Sequence, residues 1–307
     1  MKNVIVTGAN SFIGCALLEE LSKYHIPVWA VVRNHDSNIN NIKTIPGVKI
    51  VYCQMENIGN IVNLINDHTV DTCFHLAWEG SSGNKRADYS LQLRNVQYAL
   101  DTIHAMKELG VKRFIGIGTL AEKDVMNFIT EDGAQPSDVS TYGIAKIATH
   151  YMTKTQCTKA GIAYIWCCLS NTYGIGNTTN NFVNMACKKM LNGERAAFTA
   201  GEQPYDFIYI TDVARALVAI GERGKANTDY FIGSSQPKRL KDYIVTIRDS
   251  IDPEIPLFLG DVPFLGIPLD WNALSSQKLI DDTGIQMQVP FEIGIKETIN
   301  WLKKQET

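Results

Sequence analysis

No run of Lys and Arg, no C-x-x-C pair, no long apolar stretch and no internal repeat occurs in the 307 residues. Each absence removes a class of function. With 29 Lys+Arg against 32 Asp+Glu and no basic run, the chain offers neither a nucleic-acid surface nor a polybasic membrane patch. No apolar run approaches the roughly 18 residues that cross a bilayer. The start goes from Lys2 into a short apolar run broken by "TGAN", unlike a signal peptide. The seven cysteines (Cys15, Cys53, Cys73, Cys157, Cys167, Cys168 and Cys187) are odd in number and mostly flanked by apolar residues, which predicts reduced thiols in a cytosol. Adjacent Cys167 and Cys168 would point to opposite faces of a strand and pack. No other His or Cys stands at ligand spacing from His75, so no metal is expected. What remains is small-molecule chemistry, and a 45% hydrophobic content suffices for one large domain or two interleaved ones.

What is present is an alternation. Short β-branched runs, "NVIVTG", "PVWAVVR", "VKIVYC", "TCFHLA", "RFIGIG" and "AYIWCCLS", are separated by helical patterns over 12–24, 58–67, 89–109 and 142–160. Six strands with crossover helices predict an α/β fold, a doubly wound parallel sheet of Rossmann type whose ligands bind beyond the carboxyl ends of the strands. After about residue 170 the rhythm changes, with "NTYGIGNTTNN" and most of the prolines beyond 200. The expected organisation is a dinucleotide-binding domain over 1–170, joined by about 204–235, and a smaller substrate-binding domain formed mainly by 171–307.

"VIVTGANSFIG" orders a strand, a tight turn and a helix start. Gly8 and Gly14 hold the outer positions of a G-x-x-G-x-x-G spacing, and Ser11 replaces the middle glycine. Such a loop lets backbone amides approach a pyrophosphate at the positive end of a helix, and a serine there can cap the helix or reach a phosphate oxygen. Arg33 follows Gly14 by 19 residues, where the adenosine ribose is met. An acid at that place would bind the ribose diol of NAD, whereas the guanidinium fork suits the 2′-phosphate of NADP. Asp36 keeps NAD open.

"TYGIAK" places Tyr142 and Lys146 one turn apart on a helix. A phenol titrates near 10, and a fixed cation beside it favours the phenolate, so the pair can serve as a proton donor and acceptor.

These pieces together resemble the extended short-chain dehydrogenase/reductase family of nucleotide-sugar epimerases, dehydratases and reductases. The resemblance runs through "TGANSFIG", "FHLAW", "LRNVQYALDTIHAMKELGVKRFIGIGT", "TEDGAQPSDVSTYGIAK", "LSNTYGIG" and "YDFIYITDVARA". It implies cofactor contacts from Gly8, Asn10, Ser11, Phe12, Ile13, Gly14, Arg33, Gln54, Leu76 and Ala77. It makes Tyr142 the acid/base and Lys146 the ligand of the nicotinamide ribose, with Asn95 bracing the long helix near the site. Where the family carries hydroxyl residues at the end of the fifth strand, "FIGIGTLAE" has no serine, and the register gives the last place to Thr119. If that register fails, the polarising group would be Ser81, Ser82 or a water. Glu122 does not match the Asp-Glu pair of the 4,6-dehydratases, so dehydration is not expected.

In the substrate half, Trp78, Thr119, Asn171, Tyr173 and Tyr205 are the implied substrate contacts, although Asn171 and Tyr173 also suit an ordinary turn. Tyr205 stands where the family commonly has an arginine for the nucleotide diphosphate, leaving Arg195, Lys188 and Lys189 as candidate partners. "HLAW", "GEQ" and the aromatic at 205 are similar to the CDP-abequose synthase-like branch of 4-keto-6-deoxyhexose reductases. The expected activity is NADP-dependent reduction of a nucleotide-linked 4-keto sugar at C4. A 4-epimerase retaining its cofactor would use the same residues, and a non-catalytic dinucleotide sensor is the alternative of another class. A cytoplasmic homodimer through helices 89–109 and 142–160 is expected, with Leu91, Leu93, Val96, Ile103, Ile144, Ile147 and Tyr151 as apolar surface.

Overall fold

A computed structural model describes residues 1–130 and 136–305. Seven parallel strands form the central sheet: β1 (Val4–Thr7), β2 (Val28–Val32), β3 (Val48–Tyr52), β4 (Thr72–His75), β5 (Arg113–Thr119), β6 (Ala163–Leu169) and β7 (Thr228–Ile232). Their order is β7-β6-β5-β4-β1-β2-β3. The order reverses between β1 and β4, which opens a crevice at their carboxyl ends.

Helices cover both faces because the strands are apolar on both. On one face α1 (Phe12–Lys23) presents Leu17, Leu18 and Leu21 to Leu217 and Ile220 of a later helix, Ile210–Arg223. On the other, Ile103 and Met106 of α2 (Tyr89–Glu108) join Cys157 and Trp166 over Ile5 and Cys73. A third cluster lies outside the sheet, where Tyr173, Phe207, Tyr243 and Phe291 pack ring against ring. All seven cysteines are free thiols.

The structure departs from the sequence pattern at three places. The helix expected over 58–67 is a 3₁₀ turn, Met55–Asn60, followed by one helical turn, Ile61–Leu64. Asn57, Gly59 and Asn60 are weak helix formers, and Ile65 is already extended. A seventh strand, β7, adds to the six read from the pattern, since residues after 204 return to pair with β6. Finally, α3 (Leu120–Thr130) begins directly at the end of β5 and precedes α4 (Ser140–Ala160). Residues 131–135 of the "TEDGAQPSDVSTYGIAK" segment lie outside the described residues.

Candidate active site

The turn after β1 can be as tight as it is because two side chains are missing. Gly8 has φ +67, and a Cβ there would stand 2.8 Å from the Ala77 amide nitrogen. A Cβ on Gly14 would collide with the carbonyl oxygens of Gly8 and Ala9. Ser11 caps α1 by accepting from the Gly14 amide at 3.1 Å. In front of this turn lies a cavity of about 320 Å³ lined by Gly8, Asn10, Ser11, Arg33, Gln54, Leu76, Ala77 and Asn95. Thus eight residues from five separate stretches of sequence meet at one crevice, at a helix N-terminus, which suits a dinucleotide. Phe12, Ile13 and Gly14 lie in the first turn of the helix. Met55, Glu56, Glu79 and Tyr98 also line the cavity and carry no local motif that would have marked them. At the outer edge Arg33 shares a shallow depression with Asn10, Asn34, Asp36 and Ser37.

Asn95 reaches from α2 to the chain after β4, accepting from the Glu79 amide at 3.0 Å and donating to its carbonyl at 2.8 Å. His75 bonds Thr7 Oγ1 through Nδ1 at 2.9 Å, and its Nε2 is buried without a partner among the described residues. Burial, with the Lys146 charge nearby, pushes its pKa down to about 3, so the ring is neutral.

The glycines of "GIGT" have a steric cause. A Cβ on Gly116 would meet the Trp166 ring at 2.5 Å, and one on Gly118 would run into Trp166 Nε1 and Glu122 Oε1. The indole of β6 fills the room that a serine at Gly118 would need. Glu122, in the first turn of α3, accepts from the Thr119 amide at 2.8 Å and from Trp166 Nε1 at 3.0 Å, and stands 3.5 Å from His150 Nδ1. It therefore holds the end of β5 from beneath.

On α4, Tyr142 and Lys146 are both buried. Lys146 Nζ donates to the Ile117 carbonyl at 2.8 Å and sits 3.7 Å from the centre of the Trp78 ring. Burial brings its pKa down to about 7, partly opposed by Glu122. Burial likewise pushes Tyr142 up to about 12, while a hydrogen bond with Thr119 and the charge of Arg86 pull it back. The cation nearer the phenol ring is Arg86, at 4.7 Å, with Lys146 at 6.0 Å. At neutral pH Tyr142 is a protonated phenol, the state that donates.

A second cavity of about 360 Å³ lies past the end of β5, and Arg86, Thr119, Asp124, Asn171 and Tyr205 line it. Asn171 donates to the Asp206 carbonyl at 3.1 Å. Two residues expected at the substrate lie elsewhere. Tyr173 is 1% exposed in the aromatic cluster, its hydroxyl donating to the Phe291 carbonyl, and it lines neither cavity. Trp78 lines the first cavity beside Lys146, because its indole Nε1 is tied to Gln92 at 2.9 Å. Ser81 and Ser82 are exposed and line neither cavity. No helix of the described residues is long and apolar enough to cross a membrane.

Comparison with known proteins agrees with this architecture. The model described as the NAD dependent epimerase/dehydratase family matches residues 4–233. CDP-abequose synthase of Salmonella typhimurium is 28% identical over 257 residues, covering 81% of each chain. UDP-glucose 4-epimerase of Thermotoga maritima, solved with UDP-glucose, superposes with TM-score 0.77 at 22% identity, covering 99% of this chain and 100% of that one. The Bordetella bronchiseptica enzyme WbmF in complex with NADH gives TM-score 0.77 at 19% identity, over 99% and 93%.

Proposed function

The chain belongs to the NAD dependent epimerase/dehydratase family, and we propose that it reduces a nucleotide-linked 4-keto-6-deoxyhexose at C4 with NADPH. The observation that carries this reading is the placement of Thr119 on the wall of the second cavity, with the buried, protonated phenol of Tyr142 close to it. A carbonyl oxygen seated there would accept from Thr119 and take the phenolic proton, while Arg86 and Lys146 offset the charge left on Tyr142. The dinucleotide, when bound, supplies the reducing equivalents. Its fit rests on the cradle at Gly8 and Gly14, which a Cβ at either place would fill. Gly8, Asn10 and Ser11 would hold its pyrophosphate, with Gln54, Leu76 and Ala77 along its length and Lys146 at the nicotinamide ribose. Asn95 would brace the chain at Glu79, which lines its cavity.

Arg33 with Asn10 and Ser37 would receive a 2′-phosphate, and this favours NADP; Asp36 in the same depression suits the diol of NAD. Dehydration is disfavoured because Glu122 is bound to the Thr119 amide and to Trp166 and does not line the second cavity. A 4-epimerase using the same groups is the second reading, favoured by the structural likeness to UDP-glucose 4-epimerase. The test incubates the protein with NADPH and a panel of nucleotide 4-keto-6-deoxy sugars, and separately with UDP- and CDP-hexoses without added cofactor. NADPH consumption identifies a reductase, and isomer exchange without consumption an epimerase.

The protein also has the surface for a homodimer. Leu93 of α2 and Ile144 and Tyr151 of α4 are 63%, 52% and 58% exposed on adjacent helices, while Leu91, Val96 and Ile103 are turned into the core. Light scattering should give twice 34.2 kDa; a concentration-independent monomer would reject the dimer.

A further inference from the structure

This inference rests on the nucleotide-sugar reading above and concerns how the substrate's charge is met. A nucleoside diphosphate brings at least two negative charges, and such charges are not taken out of water without a partner. Tyr205 provides none. Of the cations the sequence offered instead, Arg195 is paired with Asp261 and its side chain is 66% exposed, and neither it nor Lys188 or Lys189 lines the second cavity.

The cation that does line it, among the described residues, comes from the other half of the chain. Arg86 belongs to a 3₁₀ turn, Gly83–Ala87, on the segment that follows β4. Its guanidinium carbon lies over the Tyr142 ring, 4.7 Å from the ring centre, and its charge also reaches Tyr205 and Asp124. Its Nε is buried without a hydrogen-bond partner, and no carboxylate of the described residues stands within ion-pair distance of it. A buried guanidinium nitrogen without an acceptor is costly to keep unless a ligand supplies one.

We propose that Arg86 is the diphosphate-anchoring residue of the second cavity, supplying from the first half of the chain the charge that Tyr205 lacks. Packing over Tyr142 restrains the guanidinium, so that its free N–H groups meet phosphate oxygens with little further ordering. The same contact ties the grip on the substrate's nucleotide half to the position of the phenol that serves its carbonyl. Lysine could not do both, since it has neither the plane nor the fork.

The experiment titrates the NADPH-loaded protein calorimetrically with UDP, CDP and dTDP and with the matching nucleosides, which lack the phosphates. Arg86→Gln should weaken the best-bound diphosphate by about 10–100-fold, leaving its nucleoside and NADPH unaffected. Arg86→Lys, which keeps the charge and loses the fork, should fall between, and it decides the matter if the glutamine variant no longer holds NADPH. Unchanged diphosphate affinity in the variants, or equal loss of nucleoside and diphosphate, would overturn the proposal. A parent protein that binds NADPH but none of the three diphosphates would instead overturn the nucleotide-sugar reading.

Discussion

The first cavity is lined by residues between Gly8 and Tyr98, most of them at or just after the ends of β1 to β4, with Asn95 and Tyr98 from within α2, whereas the second draws Arg86, Thr119, Asn171, Tyr205 and Leu274 from five distant places. In the first, one repeating unit of strand, turn and helix supplies nearly every wall, and its demands fall on residue types that a short motif displays, such as Gly8 and Gly14. In the second, each wall comes from a different element, and its character depends on which elements happen to meet. The two cavities thus teach that a site's legibility follows the sequence distance between its walls. The Trp166 indole shows the same rule at the junction of the two. It sits 48 residues beyond Gly118 and yet dictates glycine there.

If the two cavities are separable, variants in one should spare the other. The largest effect is expected from Tyr142→Phe, which removes the donated proton and keeps the ring under Arg86. Turnover should fall by roughly 10²–10⁴ with little change in NADPH affinity. Thr119→Val keeps the shape and loses one hydrogen bond, so a fall of about 10–10³ is expected. The double variant should lose less than the product of the two, because both groups act on one oxygen. Steady-state rates with fluorescence titration of NADPH check all three, and parental turnover in Thr119→Val would move the polarising group elsewhere.

Next in size, Arg33→Ala tests the far end of the first cavity. The loss of charge-assisted bonds to a 2′-phosphate, roughly 1.5–3 kcal/mol, should weaken NADPH while NADH is spared. Equal binding of the two cofactors before and after substitution would remove the NADP assignment. Gly118→Ser tests the junction itself. It would restore the serine the family pattern expects, but its Cβ runs into Trp166 and Glu122, so overpacking should cost about 1–3 kcal/mol in thermal or denaturant unfolding. Pairing it with Trp166→Phe, which narrows the ring, should recover part of that loss; no recovery would place the glycine requirement elsewhere.

By itself the sequence determined the alternation of strands and helices, the phosphate turn with its two obligatory glycines, and the Tyr142–Lys146 spacing on one helix. Each is set by contacts within a few residues or by the period of an apolar face. It assigned about 204–235 to the same domain but did not mark β7 as a strand of the sheet, because a five-residue strand is stabilised by the β6 backbone beside it. Nor could it turn Tyr173 inward or Trp78 toward Lys146, since the partners that decide this, Phe291 and Gln92, lie 118 and 14 residues further on. The nearness of Arg86 to the Tyr142 ring is of the same kind. A guanidinium 56 positions earlier in the chain comes to lie over a phenol only because β4 and β5 are neighbours in the sheet, and no local pattern records which strands pair.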